Sequence, residues 1–162
     1  MTSPSTTPGT PEPTPARPEA GGDAALFDAV AAEHGVIYGY GIVSAHSNPT
    51  ANGLVSSALR EHRARREEAI ARLSSRGVTP PLPAPGYALP NAVEGPIDAA
   101  KLGLRMEEDS AQVWRAVLEQ GTTGEDRTLA VTALTESAVN AAAWRTRLGM
   151  EPSTVPFPGG RD

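Results

Sequence analysis

Apolar and small residues recur at helical spacing in four separate stretches of the chain, with no sustained alternation of the kind a strand requires. The first helix is expected over Asp23 to Ser47, with Asp23 as its N-cap and Leu26, Val30, Ile37, Tyr40 and Ser44 on its inner stripe. The second is expected over Pro49 to Arg76. Asn48 is placed to cap it, Pro49 suits the first helical position, and Gly77 suits the stop. Its stripe reads Val55, Leu59, His62, Ala69 and Leu73. The third runs from Pro96 to Gln120 with Leu104, Glu107, Ala111, Trp114 and Leu118 inward. The fourth runs from Gly124 to Leu148, opened by a Thr123/Asp126 cap and closed by Gly149 and Pro152.

Short breaks around Asn48 and Thr122 join these helices into two hairpins, whose members should be antiparallel. Between the hairpins, Gly77 to Gly95 carries five prolines and reads as extended chain. At about 3.1 Å per residue it reaches roughly 55–60 Å, well beyond the roughly 33 Å of a helix of this size. One long crossover between two hairpins is the connection pattern of a ferritin-like four-helix bundle, and that all-α fold is the expectation. The organisation is then a disordered Pro/Thr-rich tail over 1–22, the bundle over 23–149, and a flexible C-terminal tail over 150–162. From Met1 to Gly22 there is no Leu, Ile, Val, Phe, Tyr or Trp, so little apolar area is available to offset ordering.

Composition removes several classes of function. The 162 residues contain no cysteine, which excludes disulfides, thiolate metal sites and a cysteine nucleophile. A net charge of −5 argues against nucleic-acid binding, and 4% aromatic residues are too few for a stacking platform. The longest nearly apolar run, Gly35 to Ala45, is too short to cross a membrane. With no secretory signal pattern, a cytoplasmic protein is expected. No phosphate loop, nucleophile elbow or zinc-protease helix is present.

The chemistry lies in carboxylates placed on inner stripes. Glu33, Glu107 and Glu136 each share a face with apolar neighbours, where an unpartnered acid is costly. Glu33 and His62 are 29 positions apart, as are Glu107 and Glu136, so equal hairpins would bring all four to one level. Di-iron bundles use a Glu on each of two helices and Glu-x-x-His on the others. Here the residue three beyond His62 is Arg65, and three beyond Glu136 is Val139, so both terminal imidazoles are missing. Arg65 or Arg66 pointing inward would supply the cationic charge instead, making an ion-pair network. The weighed alternatives are a weakened iron or manganese site with Tyr40 as a neighbouring redox group, and a pocket for a small ligand. His34 and His46 are expected at the surface, Trp114 and Trp144 in the core, and Gly35, Gly39 and Gly41 at a close helix approach.

Several of these residues together carry a resemblance. Ala32-Glu33-His34 with Tyr38 and Tyr40, the run His62-Arg63-Ala64-Arg65-Arg66, the segment Tyr87-Ala88-Leu89-Pro90, Glu107-Glu108 followed by Trp114-Arg115, and Trp144-Arg145 resemble an actinobacterial ferritin-like family of uncharacterised function. The resemblance covers about Ala25 to Leu148. It implies a ferritin-like bundle and carries no reaction with it. The resulting expectation is a binding or interaction module without a resident cofactor, acting as a homodimer or with a protein partner. The competing expectations are a di-metal oxidase or iron-handling protein with an atypical ligand set, and a small-ligand-binding bundle.

Overall fold

The structure, a computed structural model, describes residues 14–160. The expectation of a disordered tail over 1–22 falls mostly on residues 1–13, which lie outside the described residues. Among the described residues there are four long helices and no strand: α1 (Gly21–His46), α2 (Asn52–Ser75), α3 (Pro96–Gln120) and α4 (Gly124–Arg147), with a 3-10 turn over Pro49–Ala51 leading into α2. No helix among them is long and apolar enough to cross a membrane.

The helix ends show which local signals govern. At α2, Gly77 has φ +72°, its N–H bonds to the Ser74 carbonyl, and the Val78 N–H reaches Leu73. The end of α4 repeats this closure with Gly149 at φ +67° and Met150 bonded to Arg145. In both, a left-handed residue lets two orphan carbonyls find donors. Thr123 caps α4, its hydroxyl accepting the Asp126 N–H at 3.0 Å. Two expected caps are not made. α1 starts at Gly21 behind an Ala20 that offers no side-chain bond, and Asp23 spends its carboxylate on Arg76 at 2.8 Å. Asn48 makes no side-chain cap bond either, and Pro49 opens the 3-10 turn.

Specific contacts fix which ends lie together. The first turn of α1 meets the last turn of α2 through Asp23 and Arg76, and Arg76 also holds Asp126 of the first turn of α4 at 2.6 Å. The backbone of Gly22 sits so close to α3's last turn that a Cβ there would come within 3.0 Å of the Gln120 carbonyl oxygen. Toward the other end, Trp144 of α4 donates to Tyr40 of α1 at 3.1 Å, and Arg147 reaches the Thr50 carbonyl at 2.7 Å. The chain between α2 and α3 lies on α1. His34 contacts the Pro81 carbonyl at 3.2 Å, the Tyr38 and Tyr87 rings are 5.4 Å apart, and Leu89 and Val93 pack on the core.

The apolar core has two parts. One gathers Leu26, Val30, Leu73, Trp114, Val117 and Ala130; the other Tyr40, Val43, Val55, Leu102, Met106 and Trp144. On α1 the inward positions are taken by Val36 and Val43, while Ile37 is half-buried and Ser44 is exposed. His34 is buried, contrary to expectation, because the crossover covers it. Of the three α1 glycines, Gly39 is a close approach, since a Cβ would meet Met106 Sδ at 2.2 Å, and Gly41 faces open space.

The glycines supply a test of the packing. A Cβ on Gly103 would fall 2.6 Å from the rigid, buried Trp144 indole. Gly103→Ala is therefore expected to destabilise by about 1–3 kcal/mol despite its better helix propensity. Gly41→Ala meets nothing and should stabilise by about 0.5–1 kcal/mol. Urea unfolding of the two variants beside the parent measures both.

Candidate functional site

Between the two apolar clusters lies a layer of buried polar side chains drawn from all four helices. Arg65 of α2 is its hub, with 3% of its side chain exposed. Its Nε donates to Glu33 Oε1 at 2.8 Å and its Nη1 to the Ala133 carbonyl at 2.9 Å. Its Nη2 donates to the Ser137 hydroxyl at 3.0 Å and the Ser110 hydroxyl at 3.3 Å. Glu33 also takes the Trp114 indole N–H at 2.7 Å on Oε1 and His62 Nδ1 at 2.6 Å on Oε2. Glu107 Oε1 accepts from the Tyr40 hydroxyl at 2.5 Å and faces His62 Nε2 at 3.2 Å. Every oxygen of Glu33 is thus committed to a donor. Glu107 Oε2 is buried and finds no donor among the described residues.

The electrostatics follow from burial and neighbours. Burial pushes the Glu33 carboxyl up, but the hydrogen bond and charge of His62, the charge of Arg65 and the Trp114 N–H together hold it below the ordinary value of 4.5. Burial pulls His62 down, and the hydrogen bonds to Glu107 and Glu33 outweigh it, so the imidazole titrates above 6.5. Since a carboxylate only accepts, Nδ1 carries a proton toward Glu33, and the facing Glu107 favours a second on Nε2. Arg65 Nη2 also lies 2.5 Å from Nδ1, an approach of two N–H donors that the Glu33 carboxylate, bonded to both side chains, offsets. Tyr40 is pushed well above 10 by burial, then by the Glu107 charge and the hydrogen bond to it.

The sequence-derived residues are not all brought together. Glu33, His62, Glu107 and Arg65 meet, and the equal spacing of Glu33 and His62 does place them in contact. Glu136 stands at the rim, 35% exposed, with its Oε2 3.7 Å from Arg65 Nη1. Burial, with the nearby Glu61 charge, raises its carboxyl. The reason is rotational: at this level of α4 the inward side chain is its neighbour Ser137, fully buried, and one residue turns the helix by about 100°. For the same reason Arg66 turns outward and pairs with Glu67 at 2.5 Å. Ser110 and Ser137 were not read from the sequence. The signal was a hydroxyl on an inner face, among alanines for Ser137 and three residues beyond Glu107 for Ser110. Asn140 was also missed as a partner; its amide donates to Glu61 at 2.9 Å across the α2/α4 seam. Among the described residues, no group of three or more His, Cys, Asp or Glu side chains is arranged to hold a metal ion.

Residues 25–162 match the family described as Domain of unknown function (DUF4439), and the chain belongs to that family. It is 55% identical to a conserved hypothetical protein, rv2844, from Mycobacterium tuberculosis, whose crystal structure it matches with a TM-score of 0.78 over 85% of this chain and 97% of the other. No curated protein matches the chain.

The opposed shifts define a pH window for stability. Glu33 is depressed, so its contribution is present above about pH 4.5 and is lost as pH falls through its folded value. His62 is raised, so its contribution is complete below about 6.5 and is lost as pH rises through its folded value. The part of the stability owed to this pair should therefore be greatest between about pH 4.5 and 6.5. With three histidines in the chain, a ring-proton NMR titration resolves the underlying shifts. His62 is expected above 6.5, and His34 below it because burial, then the Arg66 charge, disfavours its cation.

Proposed function

We propose that this member of a family of unknown function is a ferritin-like four-helix bundle that works as an interaction module, with a closed ion-pair network where its metal-dependent counterparts would hold a di-metal centre. The topology is supported by the ends that meet. The start of α1 lies with the end of α2, the end of α3 and the start of α4. That pattern corresponds to two antiparallel hairpins with α2 and α3 running the same way, which requires the intervening chain to travel the length of the bundle.

The observation that carries the reading is the placement of Arg65. Its guanidinium, bonded to Glu33, Ser110 and Ser137, supplies positive charge to the buried Glu33, while His62 stands between Glu33 and Glu107. The atoms a metal would need are also taken: Arg65, Trp114 and His62 together occupy both Glu33 oxygens, and the His62 ring nitrogens face Glu33 and Glu107. The donor set therefore does not fit iron or manganese. The buried, unpartnered Glu107 Oε2 is the one feature that favours the di-metal alternative, and one oxygen is not a coordination shell.

Elemental analysis of protein grown in iron- and manganese-supplemented medium tests the reading. Metal well below one ion per chain is expected, and stoichiometric iron or manganese would overturn it. Removing the hub should be costly whatever the medium. Arg65→Ala takes the guanidinium from the buried Glu33 carboxylate and is expected to destabilise by roughly 3–5 kcal/mol in urea unfolding. Arg65→Lys should recover only part of that, because an ammonium lacks the planar fork that reaches several acceptors at once.

A further inference from the structure

From Gly77 to Val93 the connection between α2 and α3 carries no charged residue, although most of it lies at the surface. Its first part is tightly constrained by sequence alone. Every residue from Thr79 to Pro85 is either a proline or stands directly before one. Proline fixes φ at about −65°, and the residue before it is pushed toward extended or polyproline backbone. The X–Pro bonds of this run are all trans. The chain neither turns nor bends from Val78 to Ala84. Among the described residues, none of 79–94 makes a backbone–backbone hydrogen bond. A left-handed polyproline II helix has these properties.

That short helix is held at both ends and open between them. Pro81 is buried, and its carbonyl contacts His34 of α1 at 3.2 Å. Tyr87 sets its ring 5.4 Å from that of Tyr38, and its hydroxyl accepts the Ala84 N–H at 3.0 Å. With three residues per turn, Pro81 and Ala84 fall on one edge, toward α1. Pro80 and Pro83 fall on the second edge, and Leu82 and Pro85 on the third. Leu82 is 53% exposed, and Pro83 and Pro85 are exposed beside it.

We infer that this segment is the docking site for a partner protein whose groove is lined with aromatic side chains. This rests on the interaction-module reading and states the kind of partner the module takes. Such grooves read a preformed polyproline II helix by laying aromatic rings against proline-containing pairs one turn apart. Thr79-Pro80 and Leu82-Pro83 are pairs at that spacing. A segment without charge suits a contact made by rings rather than by ion pairs. The Leu82 and Pro83 carbonyls meet no donor among the described residues, so they can accept from a tyrosine hydroxyl or an indole N–H of the groove. The pinned ends also favour binding, because proline and the contacts at Pro81 and Tyr87 have already removed freedom that a loose peptide would lose. The chain's own aromatics offer no such groove. Phe27, Tyr40, Trp114 and Trp144 are buried, Tyr38 and Tyr87 pack on each other, and the exposed Phe157 lies on the segment over α3. The partner is therefore a different protein rather than a second copy.

Titration of the full chain into two isolated probes, an SH3 domain and a WW domain, tests this, with the probe isotope-labelled and its groove resonances followed by NMR. Saturable shifts confined to the aromatic groove are expected with at least one probe. The double variant Leu82→Asp/Pro83→Ala changes only exposed positions, and should weaken binding by about tenfold or more with unchanged circular dichroism. Pro90→Ala lies outside the run and should bind as the parent does. No groove shift with either probe, a double variant that binds like the parent, or an equal loss in Pro90→Ala would each overturn the inference. So would a parent of twice the 16.8 kDa chain mass by light scattering that falls to one chain in the double variant, since the occupant would then be a second copy. Metal content is read separately, so a metal-free chain that binds neither probe would remove the polyproline site and leave the ion-pair reading standing.

Discussion

Taking the Arg65 guanidinium out of water costs several kcal/mol unless acceptors and opposite charge replace its hydration. Each helix contributes to that replacement. α1 brings Glu33, α2 sets His62 beside it, α3 adds Glu107 and Ser110, and α4 gives the Ala133 carbonyl and Ser137. The helices are therefore held in one rotational setting. Turning any of them by one residue would withdraw a partner and expose a buried charge to an apolar wall. Apolar contacts alone tolerate more slippage, since Leu and Val pack acceptably in several registers. In this chain the ion pairs choose among the arrangements that burial would permit.

The network lies between two apolar clusters that close it from both ends. Trp114 contributes to one cluster and Trp144 to the other, and each turns its indole N–H toward the polar layer. A further ionic contact ties an end of the molecule together, where Asp126, fully buried, is held by Arg76 and approached by Arg72. Burial raises the Asp126 carboxyl, but hydrogen bonds from Arg76 and the Thr123 cap outweigh it and hold it below its usual value. Specific polar contacts thus sit at the middle and at one end, with apolar packing between them.

The four helices, their glycine stops and the non-helical Pro-rich connection between α2 and α3 were legible because each depends on local chemistry. Gly77 and Gly149 take left-handed backbone, proline opens α3 and the 3-10 turn, and the Pro-rich segment cannot form a helix. The N-caps were less legible. Asp23 was a sound local cap, but a tertiary partner, Arg76, claimed its carboxylate. The same limit governed the site. Glu33, His62, Glu107 and Arg65 could be read from face and spacing, whereas Glu136 and Ser137 are adjacent in sequence. Which of two neighbours turns inward depends on helix rotation set by the other three helices. His34 was misplaced because nothing local tells that a segment far along the chain will fold over it.

The arrangement of the two indoles has an optical consequence. Trp114 and Trp144 are the chain's only tryptophans, both are almost wholly buried, and they bond to opposite ends of one polar layer. Glu33, with its ionic partners, sits against one chromophore; Tyr40 and Glu107 stand beside the other. The emission of each therefore reports on its own end of the layer. Replacing one tryptophan at a time would make the protein a two-site fluorimeter of its interior, with no external label.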